Sequence, residues 1–201
     1  MIAIIDYGAG NIKSLQSALS KLNMDSCLTT NEHVITNSKA IILPGVGAFK
    51  DAMDALNEFS LTEVLQKEAS LGKPILGICL GMQLLYDKSF EDGEWEGLAI
   101  LNGTVKRIDS TVKVPHMGWN TLAHQSPNNL LTNINEQEFV YFVHSYYVDE
   151  CNEQELVCSC DYGVQIPAIV QKNNIFGMQF HPEKSGKNGL QLLKNFGEMV
   201  L

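Results

Sequence analysis

The sequence predicts an α/β fold with a mostly parallel central sheet flanked by helices, on two observations. Between Ile2 and Leu98 short apolar runs of strand length alternate with stretches whose apolar residues recur at helical spacing, and strands that alternate with helices build a parallel sheet covered on both faces. After Leu98 the helical stretches give way to successive short strands, which predicts antiparallel additions in the C-terminal half.

The elements follow in order. Ile2 to Ile5 is an unbroken apolar run, Ile12, Leu15, Ala18, Leu19 and Leu22 lie on one helical face, and Ile41-Ile42-Leu43 is a second buried-type strand, giving β-α-β. Phe49, Ala52, Met53 and Leu56, then Leu61, Val64 and Leu65, continue the helical pattern before Ile75-Leu76-Gly77-Ile78 returns to strand and a helix starts at Leu80. The later strands are expected at Leu101 to Ile108, Val112 to Val114, Phe139 to His144, Glu155 to Cys160, Ala168 to Lys172 and Ile175 to Phe180. Asn173-Asn174 sits between the last two, and asparagine tolerates the positive φ of a two-residue hairpin. A closing helix carries Leu190, Leu193, Phe196 and Val200 on one face. No repeat, low-complexity tract or Pro/Ser-rich linker marks a boundary, so residues 1–201 read as one domain.

With 201 residues, 45% of them hydrophobic, the chain has enough apolar surface for one substantial core. The net charge of −9 argues against nucleic acid or an anionic membrane surface as a partner. No run approaches the length of a membrane span, and Met1 opens into Ile2-Ala3-Ile4-Ile5 without a basic leader, so a cytoplasmic location is expected. Five scattered cysteines do not suggest a disulfide framework. Cys158-Ser159-Cys160 places two thiols on one face of a strand, where core packing is the expected role and metal binding is not.

Gly77-Ile78-Cys79-Leu80-Gly81 joins a buried strand to a helix, the arrangement of a tight elbow that presents a nucleophile between glycines. Backbone N–H groups at the start of a helix favour an anion there, here a thiolate on Cys79. The elbow alone is equally compatible with a buried structural thiol. A cysteine hydrolase also needs a base, and of His33, His116, His124, His144 and His181 the last stands out. In Gln179-Phe180-His181-Pro182-Glu183 the proline biases His181 toward extended backbone, where residues two apart point the same way, so Glu183 can orient the imidazole. His116 and His144 remain candidates, each at an expected strand end. Attack on an amide builds negative charge on oxygen. The N–H of Leu80 is one donor for it, and Pro44-Gly45-Val46-Gly47, a glycine loop after a strand, offers a second through Gly47.

Pro44 to Gly47, Gly77 to Gln83 and Gln179 to Glu183 together resemble the class I (triad) glutamine amidotransferases over nearly the whole chain. Within that family Asp6 to Asn11, Pro115-His116-Met117-Gly118-Trp119-Asn120, Tyr141 to Tyr146 and Lys184-Ser185 resemble the glutaminase subunits of imidazole glycerol phosphate synthases. The resemblance implies a flavodoxin-like fold, hydrolysis of glutamine through a Cys79 thioester with His181 and Glu183 completing the triad, and no cofactor or metal. It also implies a heterodimer with a (β/α)₈-barrel cyclase subunit, which uses the ammonia to form imidazole glycerol phosphate and an aminoimidazole ribonucleotide in histidine biosynthesis. Gln83, one helical turn after Cys79, offers an amide to glutamine. By family position Gly45 also contacts substrate, Glu91 takes its ammonium, and the backbone at Ser145 and Tyr146 holds its carboxylate. Asn11, Trp119 and Lys184 face the cyclase. Phe90 replaces an acidic residue common in the family, so Glu91 and its acidic neighbours also read as solvated surface. Other readings are a paralogous glutaminase that serves amidination of a surface sugar, a non-catalytic regulatory partner, and a cysteine peptidase. Gly8-Ala9-Gly10 does not extend to a dinucleotide fingerprint, because Lys13 stands where glycine is required.

Overall fold

The computed structural model describes residues 1–8 and 10–200; Ala9 of the Gly8-Ala9-Gly10 run and Leu201 lie outside the described residues. In chain order the elements are β1 (Ile2–Ile5), α1 (Ile12–Lys21), β2 (Ser26–Thr29), α2 (Glu32–Asn37), β3 (Ala40–Leu43), α3 (Phe49–Glu58), α4 (Leu61–Ser70), β4 (Ile75–Ile78) and α5 (Leu80–Leu84). They continue with β5 (Lys88–Ser89), β6 (Trp95–Glu96), β7 (Thr104–Arg107), β8 (His116–Thr121), β9 (Ala123–His124), β10 (Phe139–His144) and β11 (Tyr146–Asp149). The last are β12 (Leu156–Asp161), β13 (Gln165–Lys172), β14 (Ile175–Met178) and α6 (Gly186–Val200).

The main sheet runs β2-β1-β3-β4-β14-β13-β12-β9. Its first five strands are mutually parallel and the remainder antiparallel. The parallel part therefore has the flavodoxin-like order, with β14 in the fifth place. Both faces of these strands are dry: Ile2 and Ile4 of β1 join the core under α1 and α6, while Ala3 and Ile5 join the core under α3 and α4. This is why the early strands read as continuous apolar runs. The expected helix faces are buried, with Phe49, Ala52, Met53 and Leu56 on α3 and Leu193 and Phe196 on α6. Asn173 alone of its pair takes positive φ, 52°, in the tight hairpin that pairs Lys172 with Ile175. Cys158 and Cys160 are buried in the same core, which pushes both thiols up to about 12.

Some expected elements differ. Val112 to Val114 is not a strand; Val112 and Val114 pack as loop side chains around Ile108, Tyr147 and Ile166. The strand expected from Leu101 begins only at Thr104, after Gly103 turns the chain at φ 138° and donates its N–H to Asp87 Oδ2. Helix α2, absent from the expectation, is started by Asn31, whose side chain accepts from the N–H groups of His33 and Val34. β8 was also unforeseen; it pairs with β10 as a separate antiparallel ribbon, Trp119 opposite Tyr141. No helix among the described residues is long and apolar enough to cross a membrane.

Candidate active site

Cys79 follows β4 directly and takes φ 55° and ψ −115° before α5 begins. A non-glycine residue reaches such a conformation only when its surroundings impose it. Two constraints do so. The Cys79 N–H is held by the Met178 carbonyl of the neighbouring β14 at 2.7 Å, and the flanking glycines let α5 settle onto the strand ends. A Cβ on Gly77 would lie 2.6 Å from the Gly81 carbonyl, and one on Gly81 would lie 1.8 Å from the Leu43 carbonyl at the end of β3. No side chain fits at either place.

The parallel register of β4 and β14 pairs Ile78 with Met178. The next residues, Cys79 and Gln179, therefore emerge side by side, and His181 lies two residues further on. His181 Nδ1 is 2.8 Å from Glu183 Oε1, both side chains being 3% exposed, while His181 Nε2 is buried without a hydrogen-bond partner. Burial lowers the proton affinity of this imidazole, but the neighbouring Cys79 and then Glu183 outweigh it and push its pKa up to about 9. Cys79 and His181 line one cavity of about 400 Å³ with Val46, Gly47, Leu80, Gln83, Glu91, Pro115, Val143, His144, Ser145, Tyr146 and Lys184. That volume suits a small-molecule ligand. A larger hollow of about 510 Å³ near Gln66, Leu98 and Asn174 has no thiol, imidazole or carboxylate in its lining.

The structure brings most of the expected site residues to this cavity. Gly47 has φ 96° and open space where a Cβ would stand. Gly45 is not in the lining; it packs beneath, where a Cβ would meet Tyr7 Oη at 2.7 Å and the Gly81 nitrogen at 2.8 Å. Tyr7 donates its hydroxyl proton to the Pro44 carbonyl at 2.7 Å and fixes the start of that loop. Gln83 is on the cavity wall, but its Nε2 donates to the Tyr146 carbonyl at 2.8 Å and to Gln179 Oε1 at 2.9 Å. Its own carbonyl oxygen is the end left for a ligand. Gln179, in turn, points its Nε2 at Cys79 Sγ, 3.9 Å away.

Glu91 has a second role that the sequence did not suggest. Its Oε2 accepts the N–H of Phe49 at 2.7 Å, supplying α3 with the cap that Ala48 lacks. Its carboxyl pKa is raised, chiefly by burial, against that hydrogen bond and with help from Asp92 and Asp51. Ser145 and Tyr146 form the bend between β10 and β11, with the Ser145 carbonyl held by the Ile108 N–H at 2.9 Å.

Of the three residues expected at a partner surface, one lines the cavity itself. Lys184 lines the cavity and lies 6.0 Å from the centre of the Tyr141 ring. Trp119 is 56% exposed and meets Tyr141 edge to face; Met117 and Phe139, 62% and 54% exposed, complete an apolar outer face on the β8–β10 ribbon. Asn11 stands at the start of α1, where its side chain makes no cap bond. Sequence reasoning passed over Val46, Pro115 and Val143 as lining residues. Val46 and Pro115 stand within the quoted motifs, and Val143 is next to His144.

A thiol on a strained elbow, an imidazole tied to a carboxylate and a cavity at the carboxyl ends of parallel strands are the parts that a cysteine hydrolase of the triad type requires. Residues 3–199 match the family model described as glutamine amidotransferase class-I, and the chain belongs to that family. The curated protein named imidazole glycerol phosphate synthase subunit HisH from Oceanobacillus iheyensis is 61% identical over 200 residues, covering 100% of both chains. The protein of the same name from Caldanaerobacter subterraneus subsp. tengcongensis is 48% identical, covering 100% of this chain and 98% of its own. Among solved structures, one titled crystal structure of glutamine amidotransferase superposes with a TM-score of 0.78 at 18% identity, over 99% of this chain and 98% of that one. A chain of PurLQS from Thermotoga maritima gives 0.77 at 19% identity, over 100% and 98%. At these identities the two structures speak for the fold.

Proposed function

We propose that residues 1–201 act as one glutamine amidotransferase domain, the glutaminase subunit of an imidazole glycerol phosphate synthase in the cytoplasm. The observation that carries this reading is His181, bound through Nδ1 to Glu183 with Nε2 unpartnered, in the cavity that Cys79 also lines. The names of the full-length relatives supply the pathway.

In this mechanism Cys79 Sγ adds to the side-chain amide carbon of glutamine, and the N–H groups of Leu80 and Gly47 receive the oxyanion. As the tetrahedral species collapses, His181 gives its Nε2 proton to the leaving nitrogen, which departs as ammonia and leaves a glutamyl thioester. His181 then takes a proton from water, the hydroxide attacks the thioester, and glutamate leaves as the thiolate returns. Glu183 holds the ring in the Nδ1–H tautomer. The Gln83 carbonyl oxygen, Glu91 and the Ser145–Tyr146 backbone bind the amino-acid end of the substrate, and Gly45 supports the oxyanion loop from below. The apolar ribbon face around Trp119, with Lys184 beside it and Asn11 contributing from the start of α1, docks the (β/α)₈-barrel cyclase subunit, because a contiguous exposed apolar face at a cavity mouth suits a partner. Ammonia then passes to the cyclase without entering bulk water.

Cys79→Ala tests the reading. In the complex with the cyclase subunit it should abolish synthesis from glutamine while synthesis from added ammonium salt persists. Loss of both activities would make Cys79 a structural thiol and defeat the proposal.

A further inference from the structure

The hydrolysis proposed above assigns no step to His144, which lines the cavity, or to His116 behind it. Both side chains are buried, and His116 Nδ1 is 3.0 Å from His144 Nε2. Asn120 decides which of these nitrogens carries a proton. Its Oδ1 accepts from the Thr121 N–H at 2.8 Å, so its Nδ2 is the end that faces His116 Nε2 at 3.3 Å and the Asp161 carbonyl at 3.0 Å. An amide nitrogen only donates. His116 Nε2 is therefore an acceptor, and the proton of a neutral His116 sits on Nδ1. It points at His144 Nε2, which must accept in turn, leaving the His144 proton on Nδ1, 2.9 Å from the Tyr146 carbonyl.

The same carbonyl accepts from Gln83 on α5, one turn beyond Cys79. With the Ser145 carbonyl held by Ile108, both carbonyls of the bend are tied. Adding a proton to either ring would set one N–H against another. Burial acts in the same sense, lowering His116 to about 4 and His144 to about 3. The titratable groups facing the pair are Tyr162, stacked on His116 at 3.9 Å between centroids, and His181, whose charge also disfavours protonation of His144.

We infer that His116 and His144 are positioning residues, a neutral pair in fixed Nδ1–H tautomers that holds the Ser145–Tyr146 backbone against Gln83 and so shapes the end of the cavity that receives the carboxylate of glutamine. The identity of that ligand rests on the glutaminase reading; the proton order does not.

Long-range proton–nitrogen correlation spectra of the ¹⁵N-labelled full chain, assigned with His116→Gln and His144→Gln, report both tautomers directly. Both rings should appear as neutral Nδ1–H forms and stay so from about pH 8 to about pH 5.5. Asn120→Asp keeps the shape but puts a carboxylate oxygen opposite His116 Nε2, drawing a proton there. Its spectra should leave the Nδ1–H pattern, and in the cyclase complex KM for glutamine should rise about tenfold, the size of one net hydrogen bond, with kcat changed by less than about twofold. Nε2–H tautomers or titration near neutrality in the parent protein overturn the inference. So does an unaltered spectrum in Asn120→Asp, or an unaltered KM beside an altered spectrum. Absence of glutamine turnover by the parent complex would instead defeat the glutaminase reading and with it the ligand named here, while the spectra still decide the tautomers.

Discussion

Replacing Glu183 by glutamine isolates the charge behind His181. The amide has the shape of the carboxylate and its oxygen still accepts from Nδ1, so the ring keeps its place and loses only a negative neighbour. Both side chains of the pair are 3% exposed, so water neither screens the interaction nor substitutes for it. Burial opposes the imidazolium; Cys79 and then Glu183 favour it, and the net rise is from 6.5 to about 9. That rise corresponds to about 3 kcal/mol of preference for the charged ring, and Glu183 ranks after Cys79 among the groups that favour it. Its removal should lower kcat for glutamine about tenfold, with KM within about twofold because Glu183 does not line the cavity. Glutamate release by the cyclase complex, followed against pH, is the assay. The parent's alkaline limb should fall near 9 and the variant's should move toward neutrality, since a less stabilised imidazolium deprotonates earlier. Stability gives a second readout. A raised histidine pKa contributes stability that is fully present below 6.5 and lost as pH rises through 9, so the parent's advantage in Tm should be largest on the acid side and shrink across that window. An unchanged kcat with an unmoved alkaline limb would refute the reasoning.

Two further substitutions separate structural from functional roles. Trp119→Ala removes the centre of the exposed ribbon face without touching the core, so Tm should move by less than about 2 °C while affinity for the cyclase subunit, measured by calorimetry, drops at least about tenfold. Equal affinity would remove this face from the interface. Glu91→Ala deletes the cap on α3, costing about 1 kcal/mol or about 3 °C in Tm, and should also raise KM for glutamine; a lower Tm with unaltered KM would leave Glu91 as a cap alone.

What was legible in the sequence is what local chemistry controls. Ile2 to Ile5 and Ile75 to Ile78 announce strands buried on both faces, and the glycines around Cys79 announce a turn in which side chains cannot be accommodated. β8 was invisible because its pattern is inverted: the outward residues Met117 and Trp119 are apolar, while the inward His116 and Asn120 are polar and hydrogen-bonded to each other. An alternation rule looks for the opposite assignment. β5 and β6 are two residues each, too short to carry a period. The second role of Glu91 depends on Phe49, 42 residues away, and the grip on Gln83 depends on Tyr146, 63 residues away. Neither distance leaves a local trace.

The proposed triad is a product of sheet order more than of motif. Cys79 and Gln179 are 100 residues apart, yet the parallel pairing of β4 with β14 makes them neighbours, and the Cys79 N–H continues that ladder one step past the strand to the Met178 carbonyl. That bond helps hold a φ of 55° and ψ of −115°, a conformation that costs on the order of 1–3 kcal/mol and persists only where the surroundings over-determine it. On the other side Gly81 lies directly against the Leu43 carbonyl at the end of β3, so the loop carrying Gly47 and the first turn carrying Leu80 meet with no side chain between them. A relaxed elbow would draw the Leu80 N–H away from the loop and the thiol away from His181 together. The strain at Cys79 is thus what couples the proposed nucleophile, base and oxyanion donors into a single geometry.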